Sequence, residues 1–318
     1  MYTLHIYTND YLYTPVVSGP VTLATSRAGA PGALTFRVVK DSVISFQEGD
    51  RVAFDLDGRS LFYGYVFTKR RSAQGVITVK AYDQLRYFKN RDTYSYAELT
   101  ATDLLRRIAR DFSLTCGTLA DTGYAIPARV ESGQSLFSIA QTALDLTFAA
   151  TGELFVLYDD YGALRLSNIK EMLSSHLLST AGISDFDYAS SIDSGTYTSV
   201  RLAREESGTG QTVYYTAENP ELAARWGVLQ YYGTLDEEED GAALAESLLA
   251  AYGKRTRRLA VSGAVGNPEI RAGCLLPVQM ELGDLRFNDF LMAETVTHTF
   301  TEVGHTMDLT MAGGEFVE

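Results

Sequence analysis

Apolar and polar residues alternate with period two along much of the first 94 positions. Val52, Phe54 and Leu56 alternate with Arg51, Ala53, Asp55 and Asp57, and Asp57-Gly58 then supplies a hairpin turn dipeptide. Leu61–Phe67 reads as the next strand, and Ser72-Ala73-Gln74-Gly75 as a turn. Ile77, Val79 and Ala81 alternate again with Thr78, Lys80 and Tyr82. Short strands joined by tight turns predict a small barrel or sandwich.

The period then changes. Thr100-Ala101-Thr102-Asp103 fits a capping box ahead of Leu104, Leu105, Ile108 and Phe112, which fall on one helical face. A second helix is expected over Leu136–Ala150, with Leu136, Ile139, Ala140, Ala143, Leu144 and Phe148 inward and Gly152 ending it. Leu154–Tyr158 and Ala163–Ser167 flank Asp159-Asp160-Tyr161-Gly162 as a hairpin. Tyr197–Arg204 and Thr212–Tyr215 form another around Ser207-Gly208-Thr209-Gly210. A third helix follows the acidic run 236–240, with Ala245, Leu248, Leu249 and Tyr252 on its apolar side and Gly253 closing it. Alternation returns after residue 257, in Leu276, Val278, Met280 and Leu282, then through 290–300 and 306–311.

The two ends of the chain resemble each other. Glu48-Gly49-Asp50-Arg51-Val52 leads into three strands with a turn at Gly75. Ala272-Gly273-Cys274-Leu275-Leu276 leads into three more, with a turn at Gly304. A duplicated barrel flanking a central helical region is one reading, and chance likeness between two β-rich segments is the other.

With 318 residues, 46% hydrophobic and 21% charged, the chain is long enough for about two domains with real cores. It carries 20 Tyr, 15 Phe and a single Trp, Trp226. The net charge of −13 argues against a general nucleic-acid binder. Residues 1–94 sum to +4 and residues 95–318 to −17, an asymmetry that permits head-to-tail pairing between copies or simply two differently charged solvated surfaces. Cys116 and Cys274 match no CxxC spacing and are expected to be buried free thiols. No Sec-type signal or membrane span is expected, so the protein should be soluble and made in the cytoplasm.

Catalytic chemistry finds little support. His5, His176, His298 and His305 include no HExxH pair; His298 and His305 could face each other across the Gly304 turn, more simply as ordinary strand residues than as a metal pair. Asp159 and Asp160 are adjacent, so they should point to opposite sides and serve a turn, not a glycosidase site. The run Asp236, Glu237, Glu238, Glu239 and Asp240 could hold a cation, but a solvated helix N-terminus is simpler. Residues 207–212 lack the lysine and spacing of a P-loop, and no Gly-x-Ser-x-Gly elbow occurs. The basic group Lys69, Arg70, Arg71, Arg86, Lys89 and Arg91 could meet phosphate, an acidic partner or the acidic part of a neighbouring copy, or be a hydrated strand end.

Several stretches resemble the XkdQ/YqbQ-like family of phage-tail hub proteins of PBSX-like prophages. They are Phe62-Tyr63-Gly64-Tyr65-Val66-Phe67, the segment 79–90 with Ala81-Tyr82-Asp83-Gln84-Leu85, and Asp121-Thr122-Gly123-Tyr124. Tyr158-Asp159-Asp160-Tyr161-Gly162, the segment 218–230 ending in Trp226-Gly227-Val228-Leu229-Gln230, and the segment 266–273 also match. Cys274 and the acidic run 236–240 depart from the pattern. The resemblance implies an α+β, mainly β fold: two related tube-type β-barrel domains flanking or joined by α/β insert regions. The expected divisions are 1–94 for the first barrel (completed, if need be, by later strands), 95–195 for an α+β insert, and 196–318 for a hairpin, a helix and the second barrel.

The same resemblance implies a structural, non-enzymatic baseplate hub of a contractile tail or phage-derived injection particle. It implies a homotrimer that meets a tail tube or tube initiator above and a spike below, with other baseplate proteins around it and a tape-measure protein as a further partner. No cofactor, metal or specific nucleic-acid binding is implied, and the location is the tail particle, assembled in the bacterial cytoplasm. Six tube-like units from three chains would match a sixfold tube to a threefold spike. Three copies sum to −39, which along the bore would repel passing DNA. The basic group and the acidic run are the candidate inter-subunit or partner contacts. A tail-associated cell-wall hydrolase is the alternative, although strand alternation running to Met311 leaves no expected lytic domain. A glycan- or receptor-binding module, suggested by the tyrosines, is the third reading.

Overall fold

The computed structural model describes residues 1–193, 195–206, 211–235, 240–281 and 286–313. Its centre is one sheet of 13 strands, into which two β-modules are run together. The first module contains β1 (Tyr2–Tyr7), β2 (Val21–Ser26), β3 (Ala33–Val39), β4 (Arg51–Leu56), β5 (Arg59–Arg71) and β6 (Val76–Tyr82). Asp57 and Gly58 both take positive φ (49° and 80°), the type I′ geometry that suits the twist of the β4–β5 hairpin. The inward residues of alternating strands, among them Ile6, Phe36, Phe54 and Val79, make the first core.

An α/β insert follows. Helix α1 (Ala101–Asp111) is capped by Thr100, whose Oγ1 accepts from the Asp103 N–H and donates to the Asp103 carboxylate. Helix α2 (Leu136–Thr151) ends at Gly152 in the left-handed region, φ 72°. Strands β7 (Phe155–Asp160) and β8 (Ala163–Asn168) form a hairpin turning at Tyr161 and Gly162, again with positive φ at both. Leu104, Ile108, Leu136, Ile139 and Leu164 share its core.

The second module contains β9 (Leu178–Ser179), β10 (Asp185–Ser191), β14 (Thr256–Val265), β15 (Leu275–Glu281), β16 (Arg286–Phe300) and β17 (His305–Gly313). Between β10 and β14 sits a smaller insert: β11 (Ser199–Glu205), β12 (Thr212–Glu218), α3 (Pro220–Trp226), β13 (Gln230–Thr234) and α4 (Gly241–Tyr252). Strands β9 and β10, inside the 95–195 range read from the sequence as insert, are hydrogen-bonded into the second module.

The two modules share one topology. Spatial order is β1-β4-β5-β6-β3-β2 in the first and β9-β15-β16-β17-β14-β10 in the second. Numbered by order of appearance, both read 1-4-5-6-3-2; the difference is that β9 pairs parallel to its neighbour, whereas β1 pairs antiparallel.

Local hydrogen bonds repeat as well. Gly49 N–H donates to the Val66 carbonyl at 2.8 Å and Gly273 N–H to that of Ala293 at 2.8 Å. Val66 N–H returns to the Asp50 carbonyl at 2.8 Å, and Ala293 N–H to that of Cys274 at 2.9 Å. A β-bulge follows each, between Val66 and Thr68 and between Ala293 and Thr295. Gly49 and Gly273 have φ of 92° and 95°. Five matching features in matching strands make the sequence likeness of the two ends a structural duplication.

The modules join through β16. Its first half pairs with β15, and beyond the bulge the same edge pairs with β2 of the first module, from Thr295 opposite Ser26 to Phe300 opposite Val21. Phe300 thereby enters the first core, its ring 4.9 Å from that of Phe54, while Val296 stays in the second. Among the described residues no helix is long and apolar enough to cross a membrane.

Candidate functional site

Three parts of the chain meet at a buried charged junction. Asp83 follows β6 at the end of the first module. Its Oδ2 accepts from the Gly32 N–H at 2.8 Å and its Oδ1 from the Leu85 N–H at 3.0 Å. Asp159 comes from the β7 end of the hairpin and accepts from the Gly162 N–H at 2.7 Å. Arg271, from the loop before β15, lies 3.8 Å over the Tyr158 ring and donates to the Asp159 carbonyl at 2.9 Å.

Burial governs the electrostatics here. It pushes the Asp83 carboxyl well above the usual range, with the Asp159 charge adding to it. Burial likewise raises Asp159, to about 6, although the Gly162 N–H, Gln84 and Arg271 pull the other way. Desolvation lowers the half-buried Arg271. The Arg271 charge acts on both carboxyls through space; the direct ties are its bond to the Asp159 carbonyl and the paired bonds between Gln84 and the Thr115 backbone, which join the second and the first module to the insert. Asp160, the other half of the adjacent pair, points outward and ion-pairs with Arg165 at 2.9 Å. The two carboxylates therefore do not share a site, as strand alternation requires.

His298 and His305 do face each other across the β16–β17 turn, with Nδ1 of His298 2.9 Å from Nε2 of His305. Nε2 of His298 is 2.8 Å from the Ile270 carbonyl. That network assigns the proton of neutral His298 to Nε2 and makes its Nδ1 an acceptor. Burial, then the neighbouring His305 and Arg271, push His298 down to about 4 despite the Ile270 bond. Among the described residues no group of three metal-holding side chains occurs.

The basic group predicted from sequence is divided. Lys69, Arg70 and Arg71 lie on the distal half of β5, where the Lys69 ammonium donates to the Phe46 carbonyl and sits 4.2 Å over its ring. Arg86 covers the Phe67 ring at 5.3 Å. Lys89 ends a 3-10 turn, and Arg91 starts a strand that pairs with the residues leading into α2. None of the six is in a salt bridge within the described residues. Of the acidic run, Asp236, Glu237, Glu238 and Glu239 lie outside the described residues, as does the glycine-containing tip 207–210. Asp240 is the N-cap of α4, accepting from the Ala242 and Ala243 N–H groups. Cys274 is buried as expected, but Cys116 is exposed, because it opens a short strand at the rim of the insert.

Tyr63, Tyr65 and Tyr87 line a cleft of about 400 Å³ with Gln84 and Leu114. Tyr63 also packs on Tyr161, 5.6 Å between ring centres, so these rings serve contact between module and insert.

Two sheet edges complete the inventory. On the β4 side of β5, strand pairing stops at Tyr65, and no described strand accompanies Thr68–Arg71 there. At one end of the 13-stranded order, β10 pairs only with β14 among the described residues, and Asp185, Phe186, Asp187, Ala189 and Ser190 are exposed. The sequence does not mark Asp83, Arg271 or β10 as functional elements. Asp83 and Arg271 lie inside segments 79–90 and 266–273, but nothing local brings the two together.

Known proteins bear on these features. The family model described as YQBQ-like matches residues 21–312. The phage-like element PBSX protein XkdQ of Bacillus subtilis is 30% identical over 310 residues, covering 94% of each chain. The 43 kDa tail protein of prophage MuSo2 from Shewanella oneidensis superposes with a TM-score of 0.72 over 97% of this chain and 98% of its own, at 13% identity. The E. coli c3393 protein, a type VI secretion component described as structurally similar to the T4 tail proteins gp27 and gp5, superposes at 0.59 over 99% of this chain and 77% of its own, at 13% identity. The fold is thus that of prophage tail proteins.

Proposed function

The chain belongs to the YQBQ-like family, and from that premise we propose that it is the structural hub of a contractile-tail baseplate, or of a phage-derived injection particle. In this reading three copies form a ring that adapts a sixfold tube to a threefold spike. The observation that carries it is the duplication: two modules with the same 1-4-5-6-3-2 strand order in one polypeptide. Three such chains present six similar units to a tube on one face and keep true threefold symmetry for a spike on the other. The role is load transfer and symmetry matching, with no chemical step. The partners are the tube or its initiator, the spike and neighbouring baseplate proteins.

The buried Asp83–Asp159–Arg271 junction suits this role. Its hydrogen bonds hold the insert against both modules, Arg271 to the Asp159 carbonyl on one side and Gln84, beside Asp83, to the Thr115 backbone on the other. The test is the mass and shape of the chain in solution, alone and with its tube and spike proteins. Light scattering with electron microscopy should give a three-chain ring with six lobes. A monomer that persists with both partners present, or clearing of peptidoglycan in a zymogram, overturns the reading.

A further inference from the structure

The internal joint between the modules is a strand pairing across one edge of β16. In that joint the fifth strand of module two (β16), beyond its bulge, receives the second strand of module one (β2) along the edge that its first half offers to β15. The duplication leaves the same two elements, among the described residues, with one side not joined to a strand. They are the fifth strand of module one beyond its bulge, Thr68–Arg71, and the second strand of module two, β10. We propose that β10 of one copy pairs antiparallel with the distal half of β5 in the next, repeating the internal joint between molecules. The inference rests on the hub reading above and deepens it by naming the surface that closes the ring.

The register follows from the repeat. Val66 corresponds to Ala293, since each is the residue bonded to the repeated glycine turn just before the bulge. Thr68 therefore corresponds to Thr295 and Arg70 to Thr297. In the other strand, Leu23 lies opposite Leu34 and Tyr188 opposite Leu259, and Leu34 and Leu259 each face the partner of that pre-bulge residue. Tyr188 therefore corresponds to Leu23, and Ala189 to Ala24. Because Thr297 lies opposite Ala24 inside the chain, Arg70 lies opposite Ala189 of the neighbouring copy.

Chemistry agrees with this pairing. The internal joint is made of uncharged strands, Val21–Ser26 against Thr295–Phe300, flanked by the Arg27–Glu294 ion pair. The open edges carry opposite charges instead: Lys69, Arg70 and Arg71 on one, Asp185 and Asp187 on the other. In the transferred register Asp187 sits diagonally from Arg70 on the same face, within reach of a long side chain. Charged edges also discourage unspecific strand pairing before assembly, which a neutral edge would invite. Exposure follows the same logic, since Ala24 is half-covered by β16 whereas its counterpart Ala189 is exposed. The contact is head-to-tail, so a ring arises only if the rotation closes. Three internal and three external joints of one geometry make six.

The experiment is disulfide trapping in the full chain with Cys116→Ser as background. Arg70→Cys combined with Ala189→Cys should, on mild oxidation, give a ladder of linked chains ending at three. Thr297→Cys with Ala24→Cys should give an intrachain bond, showing that this register permits a disulfide. Separately, Arg70→Asp or Asp187→Arg should each weaken association at least tenfold, and the two reversals together should restore it. If light scattering gives a trimer but only the internal pair crosslinks, this joint is wrong and the hub reading stands. If the chain stays monomeric even with its tube and spike proteins, both fail.

Discussion

Arg27 and Glu294 are joined twice across the seam between the modules. The Arg27 guanidinium meets the Glu294 carboxylate at 2.8 Å, and the Arg27 backbone N–H donates to the Glu294 carbonyl at 2.9 Å. Glu294 is the bulge residue of β16, so the bulge turns its carbonyl towards the other module as strand pairing with β2 begins. Both side chains keep partial solvent contact, so the ionic half of this link is modest. Arg27→Ala should lower stability by about 1 kcal/mol. A double-mutant cycle with Glu294→Gln, read by urea denaturation, should return a coupling no larger than that, because the backbone bond survives.

The equivalent glycines should respond unequally to substitution. Gly49 and Gly273 both hold φ above 90°, a region that a side chain enters at a cost of roughly 1–2 kcal/mol. At Gly49 an added Cβ meets open space, whereas at Gly273 it would lie 2.8 Å from Val156 Cγ1 and 3.1 Å from Met172 Cε. Gly273→Ala should therefore cost about 1–3 kcal/mol more than Gly49→Ala. Thermal unfolding of the two variants checks it; equal losses would mean that the insert yields at this contact.

The buried junction should show the loss of its cation and of the hydrogen bond it makes. Arg271→Met removes the donor to the Asp159 carbonyl and the cation that lowers Asp83 and Asp159, and should cost about 1–3 kcal/mol. Adding Asp159→Asn to that variant should recover part of the loss, since it removes a buried carboxyl that Arg271 helps to keep ionised and keeps an acceptor for the Gly162 N–H. Denaturation midpoints of the single and double variants make the measurement.

Much of this fold is legible in the sequence, and the exceptions have physical causes. Period-two alternation and the Asp57-Gly58 turn locate β4 and β5, and the Thr100 cap and Gly152 stop bound α1 and α2, because those signals are local. Strand β10 carries no such signal: Asp185-Phe186-Asp187-Tyr188 alternates, but its outer face is wet on an unpaired edge. Helix α3 buries no residue fully, so periodicity does not announce it. The Asp83–Arg271 junction depends on segments nearly 190 positions apart. The repeat lies between these cases. Its glycine turns are readable, but only the shared strand order, the bulges and the hydrogen bonds of the folded chain separate duplication from chance.

Acid should loosen the second module through His298. Its folded pKa is pushed from 6.5 down to about 4 by burial, so below pH 6.5 the unfolded chain takes up a proton that the folded chain refuses. The contribution of His298 is fully present above pH 6.5 and is lost as pH falls through about 4, amounting to about 3 kcal/mol. Protonation also places an N–H on Nδ1, facing the Nε2 of His305 that now donates to it. Asp159 works in the opposite sense. Its pKa is raised to about 6, so its contribution is present at low pH and is lost as pH rises through 6. The overlap makes the wild-type profile alone ambiguous. His298→Gln keeps a donor for the Ile270 carbonyl and removes the titrating group. The stability of this variant relative to the parent should climb steadily from pH 6.5 to pH 4, in both the parent and the Asp159→Asn background. A difference that stays flat across that window would mean that His298 takes up its proton within the folded protein.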